Sequence, residues 1–124
     1  MNAMKKTVVI GATDNPTRFA YKAVQKLLNY GHEVVPVGIR HSAIGTLPIQ
    51  HLQDNPKVEN VDTVTMYVGP QHQPAWYAYI LSLKPKRIIF NPGTENLEFE
   101  RMAEDQKIET MHACTLVMLA SGSY

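Results

Sequence analysis

An apolar run, Val8-Val9-Ile10, breaks at Gly11 and passes through Ala12-Thr13-Asp14-Asn15-Pro16-Thr17 to Arg18, where apolar residues begin to recur at helical spacing. A strand that turns through small residues into a helix leaves the helix's first amides and the positive end of its dipole facing the turn. That arrangement stabilises an anion. Gly11 and Ala12 permit close approach to the backbone, and Gly11, Ala12, Thr13, Asn15, Pro16, Arg18 and Tyr21 form the first group of candidate binding residues. The dinucleotide fingerprint wants glycine at the first, third and sixth positions of such a turn. Thr13 and Pro16 occupy the last two, so the loop reads as a phosphate site of another subtype, with Arg18 supplying charge.

Strand-length apolar runs alternate with helical patterns along the chain, the signature of a parallel sheet with crossover helices. Residues 7–10 read as strand one, 18–30 as a helix closed by Gly31, and 33–37 as strand two, followed by a loop over 38–44. Residues 45–56, broken by Pro48 and Pro56, read as a short strand or turn with a brief helix around 49–52. Residues 62–68 then form strand three, Pro74 opens a helix carrying Trp76, Tyr77 and Tyr79, and residues 87–90 form strand four. A helix over 97–106, a fifth strand over 109–112 and a helical or irregular segment over 115–120 complete the reading. The expectation is one α/β domain over residues 1–124, a three-layer doubly wound parallel sheet of about five strands. Its expected order is 3-2-1-4-5, with the first loop at the switch point.

The 124 residues, 44% of them hydrophobic, suffice for a single core. A net charge of +1 gives no general attraction to nucleic acid or membrane surfaces, and no apolar run approaches the ~20 residues that span a bilayer. With no signal-type segment and a lone Cys114, a cytoplasmic protein is expected. Trp76, Tyr77 and Tyr79 are candidates for a homodimer surface, with core packing the default for such residues.

Where a reader of NAD places a carboxylate after strand two, this chain has Val37-Gly38-Ile39-Arg40-His41. Basic residues without an acid favour a ligand with a phosphate on its ribose, as in NADP and coenzyme A. The turn Gly11-Ala12-Thr13 with Pro16, Arg18 and Tyr21, the run Gly31-His32-Glu33-Val34-Val35-Pro36-Val37, then Ile44-Gly45, Asn91-Pro92-Gly93, Asn96 and His112-Ala113-Cys114-Thr115-Leu116 together resemble the small stand-alone CoA-binding proteins. These are single Rossmann-like domains similar to the CoA-binding domain of succinyl-CoA synthetase, and the resemblance covers nearly the whole chain. It implies a small nucleotide thiol, CoA or acyl-CoA, as partner. The pyrophosphate would lie in the first loop, the adenosine beside Val37, Gly38, Arg40, His41 and Ile44, and the pantetheine toward Gly93, Asn96 and Cys114. The chain departs from the family's usual pattern at Ala20, Gly38-Ile39 and Asn91-Pro92-Gly93.

No catalytic set emerges: there is no nucleophile elbow, no Walker loop and no paired acids with an evident cleft. His112 and Cys114 have same-side strand spacing, but a zinc site wants about four ligands and no others accompany them. Cys114 reads as a small buried hydrophobe, with a mixed disulfide to CoA as the sharper alternative. The leading expectation is a non-catalytic or regulatory CoA-binding module. Its rivals are an NADP-dependent oxidoreductase-like domain and a structural protein of the same fold without ligand.

Overall fold

Residues 3–124 are described by the structure, a computed structural model. They form β1 (Thr7–Ile10), α1 (Phe19–Asn29), β2 (Val34–Gly38), β3 (Ser42–Ile44), β4 (Leu47–His51), β5 (Thr63–Met66), α2 (Tyr77–Ser82), β6 (Arg87–Phe90), α3 (Leu97–Asp105), β7 (Glu109–His112) and α4 (Thr115–Ser121). Short 3-10 turns occupy Leu52–Asp54, Pro70–His72 and Pro74–Trp76. The sheet order is β3-β4-β2-β1-β5-β6-β7, parallel at every pairing except the antiparallel β3–β4 hairpin.

The α/β Rossmann-like architecture is as expected, but the sheet has seven strands rather than about five. The two additional strands come from residues 42–51, which the sequence pattern gave to a loop, a short strand or turn, and a brief helix. Gly45, at φ +61°, closes the hairpin with Thr46, and Ile44 pairs with Leu47 across that two-residue turn. The pair flanking such a turn is hydrogen-bonded, so the next pair, Ala43 with Pro48, falls where no amide is called for and the proline is tolerated. The expected order 3-2-1-4-5 is also corrected. Residues 62–68 were to lie beyond strand two, whereas β5 pairs with the opposite side of β1, and β4 takes the place beside β2. The switch point nevertheless stays at β1, whose neighbours leave in opposite directions along the sheet.

Two cores sandwich the sheet, and strand alternation assigns the residues between them. Val8, Ile10, Val64, Met66, Ile88 and Phe90 face α2 and α3, while Val9 and Ile89 pack with Val24 and Leu27 of α1 and Leu119 of α4. Tyr77 and Tyr79 of the aromatic helix turn inward, Tyr77 stacking on Phe99 at 4.4 Å and Tyr79 donating to the Pro56 carbonyl at 2.7 Å, while Trp76 is partly buried. The helix expected after Pro74 is also shorter, because two proline-led 3-10 turns precede α2.

At the amino ends of the strands, buried Arg87 donates from Nε to Thr63 Oγ1 at 2.7 Å and from a terminal nitrogen to the Tyr124 main-chain oxygen at 2.9 Å. Its guanidinium also lies 4.6 Å from the centre of the Tyr124 ring, which replaces part of the lost hydration. His32 sits against the same ring and accepts the Lys5 amide at Nδ1, 2.9 Å away. Burial, then the charges of Lys5 and Arg87, hold its titration below the ordinary histidine range, with Asp62 opposing. The unfolded chain therefore binds a proton here more readily than the folded one, so this contribution to stability is full above about pH 6.5 and is lost as pH falls below it. Chemical denaturation at pH 7.5 and 5.5 should show a smaller loss of stability for His32→Gln than for the parent.

Candidate functional site

The carboxyl ends of the strands form the site edge, and backbone sterics place its first loop. The amides of Gly11 and Ala12 both donate to the Val37 carbonyl, at 2.9 and 3.1 Å, tying the end of β1 to the end of β2. Gly11 has φ +95°, and a Cβ there would lie 2.9 Å from the Tyr67 backbone. A Cβ on Gly38 would lie 2.4 Å from the Ala12 carbonyl oxygen. Gly11 thus serves the approach of β5 to the loop, and the approach of a ligand, expected from the sequence, is not what demands the glycine. Val37 is fully buried and acts through its carbonyl.

The rest of the loop is held by its own side chains. Asn15 Oδ1 accepts the Thr17 amide at 3.0 Å and the Thr17 hydroxyl at 2.7 Å, Thr13 Oγ1 accepts the Asn15 amide, and Pro16 lies exposed between them. Arg18 is the exposed N-cap of α1 and caps nothing with its side chain. The first bond into the helix is the Lys22 amide to the Arg18 carbonyl, so the amides of Phe19, Ala20 and Tyr21 precede the intrahelical ladder and face the loop. Tyr21 packs partly buried on the α1 core and its hydroxyl accepts from Gln25.

Arg40 and His41 stand exposed just beyond β2, with His41 4.9 Å from His51 at the end of β4. Asp14 accepts the Ser42 hydroxyl, joining the first loop to the hairpin. Neither partner was singled out in the sequence, where nothing links residues 28 positions apart. Ile44 is buried in the core beside β4 and contributes no exposed surface to the edge.

Across the switch point, buried Asn91 organises the strand ends. Its Nδ2 donates to Thr65 Oγ1 at 2.7 Å and to the Met66 carbonyl at 2.8 Å, while its Oδ1 accepts the Thr115 amide at 2.9 Å. Cys114, the half-buried N-cap of α4, is placed by that bond. Burial raises the Tyr67 phenol above its ordinary range, and its buried hydroxyl meets no hydrogen-bond partner among the described residues. Asn96 Oδ1 caps the Phe99 amide, and its Nδ2 donates to Tyr77 Oη and Gln73 Oε1. Gly93 adopts φ +93°, in open surroundings, and its amide donates to Glu95 Oε1 at 2.8 Å.

Glu100, buried beneath this turn, accepts the Asn96 amide at one oxygen and holds His112 Nε2 at 2.8 Å with the other. The hydrogen bond to Glu100 raises the His112 titration, desolvation opposes it, and the charges of Glu100 and Glu95 add to the rise. The edge is therefore charge-polarised. Arg18, Lys22, Arg40 and His41 surround the ends of β1 and β2, with Asp14 the one acid among them, whereas Glu95, Glu98 and Glu100 surround those of β6 and β7. A depression of about 920 Å³ lies at the opposite edge among Lys6, Glu33, Asp62, Lys84 and Lys86. Two ion pairs there, Lys6–Glu33 and Lys86–Asp62, join neighbouring elements, and its wide opening and mixed charge select no ligand.

Residues 5–120 match the model of the CoA binding domain family. The chain belongs to that family. Over 99% of its length this CoA-binding domain superposes on the crystal structure of an uncharacterised protein, all of whose chain is covered, with 50% identity and a TM-score of 0.95. A conserved hypothetical protein from Pyrococcus furiosus is 27% identical over 92% of this chain and 98% of its own, with a TM-score of 0.77. An acetyl-coenzyme A synthetase from Ca. Korarchaeum cryptofilum, solved with phosphate and ADP, shares the fold at 18% identity and a TM-score of 0.69, over 88% of this chain and 26% of that one. No curated protein matches in sequence. No helix of the described residues is long and apolar enough to cross a membrane.

Gly38→Ala should displace the first loop without touching any exposed side chain. A destabilisation of roughly 1–3 kcal/mol is expected from the overpacking, read as a lower urea midpoint with an unchanged slope.

Proposed function

We propose that this domain binds CoA or an acyl-CoA at the carboxyl edge of the sheet, with the phosphates over the amino end of α1. The charge polarity of that edge carries the reading. Three unladdered amides, Arg18, Arg40 and His41 face one half, where a polyanion is stabilised by the helix dipole and by charge-assisted hydrogen bonds. The acid-rich half disfavours phosphate and suits the uncharged pantetheine arm. No carboxylate follows β2 to receive a free ribose diol, which favours a ribose phosphate over NAD. Thr13, Asn15 and Pro16 shape the phosphate turn, Gly38 lets β2 approach it, and Gly93 and Cys114 border the arm.

Calorimetric titration with CoA, acetyl-CoA, NAD and NADP tests the reading. CoA should bind at least tenfold more tightly than NAD, a difference of ~1.4 kcal/mol that one added phosphate contact can supply. Equal or reversed affinities would overturn it. Arg18→Ala should weaken CoA by roughly 1–3 kcal/mol, the range of a charge-assisted hydrogen bond, with the unfolding midpoint unchanged because the side chain is exposed and caps nothing.

A further inference from the structure

The His112–Glu100 pair has the construction of a proton acceptor. Glu100 is buried and fixed at both oxygens, by the Asn96 amide at 3.2 Å and by His112 Nε2 at 2.8 Å. A carboxylate there requires the proton of the neutral imidazole to sit on Nε2, which leaves the Nδ1 lone pair free to accept another. No protein hydrogen bond reaches Nδ1 among the described residues, and about half of the His112 side chain is exposed. The Phe90 ring meets the imidazole edge-on at 6.4 Å and limits its tilt. The groups facing it are Glu100 from α3 and Glu95 from the preceding turn, both acids that favour an imidazolium, and Cys114 lies two residues along its own segment. One Glu100 oxygen completes the α3 cap by accepting the Asn96 amide, and the other is left to fix the imidazole.

Position supplies the acid that this base would meet. His112 ends β7, three strands from β1 across β5 and β6. At about 4.8 Å per strand it lies roughly 14 Å along the edge from the phosphate turn, within reach of an extended pantetheine arm. Charge polarity fixes the direction of that arm, because its phosphates are drawn to the basic half and repelled by Glu95 and Glu98.

We propose that His112, oriented by Glu100, takes the proton of the bound CoA thiol and holds the sulfur as a thiolate. This rests on the reading of the site as a CoA site. The S–H bond breaks, its electron pair stays on sulfur, and the proton passes to Nδ1. The product is a thiolate–imidazolium pair, backed by the Glu100 carboxylate, with no other reactant consumed. The domain would then present CoA as a nucleophile at neutral pH, the form that attacks disulfides and activated acyl groups.

Thiolate absorbance at 240 nm, followed against pH in Cys114→Ser protein saturated with CoA and referenced to the same protein with S-methyl-CoA, reads the ligand's sulfur, the one thiol left. Its midpoint should fall about one unit or more below that of free CoA, the direction of a thiol beside a histidine cation, and His112→Gln should remove the shift. A second arm uses the unmodified protein. The His112 imidazole titration, followed by NMR, should move to higher pH with CoA and not with S-methyl-CoA, which has no ionisable sulfur. An unshifted thiol, a shift that survives in His112→Gln, or equal His112 titrations with the two ligands would overturn the assignment while leaving CoA binding intact. Failure of the unmodified protein to bind CoA in calorimetry would instead overturn the site reading itself.

Discussion

The site depends on a backbone approach at the end of β1 that only glycine permits. The Val37 carbonyl receives two consecutive amides, from Gly11 and Ala12, while the Tyr67 backbone closes on Gly11 from the other side. This three-strand contact aims the chain toward α1, and Gly38 gives it room by offering no Cβ against the Ala12 carbonyl. Asn91 plays the matching part across the switch point, where one amide side chain joins β5, β6 and the start of α4. Rigid strand ends then carry exposed side chains whose placement follows from the sheet order.

The strongly periodic elements were legible in the sequence because each is local. β1, β6 and β7 fall where their apolar runs begin and end, and α1 is within one residue at each end because Gly31 stops it. The β3–β4 hairpin was hidden by its proline and by three-residue brevity, both of which read as loop. Strand order was harder still. Nothing in residues 62–68 says which side of β1 they will join, since both sides of a buried parallel strand present the same backbone.

The candidate site was legible as chemistry and less so as geometry. Arg18, Arg40 and His41 are exposed at one end of the sheet, as their positions after strand ends imply. Asn96 caps α3 and Ile44 packs in the core, roles that a motif cannot separate from ligand contact. Asn91, read only as part of a turn, and Gln73 and Glu100, not singled out, are single buried polar groups without periodicity. Each becomes visible only once its partners, 21 to 26 positions away for the first two, are brought to it by the fold. His112 carried a signal in its spacing to Cys114, but the partner that matters came from α3.

The satisfied amides of Gly11 and Ala12 have a consequence for how such a domain changes over time. Glycine-rich phosphate loops that donate their own backbone to a ligand tie recognition to the turn that holds the sheet together. Here the turn closes on protein groups, and the charged side chains around it project into solvent. Positions 18, 40 and 41, on the two loops that follow β1 and β2, take no part in that closure, so the demands of stability fall on Gly11, Ala12 and Gly38, and any demand a ligand makes on exposed side chains falls on other residues.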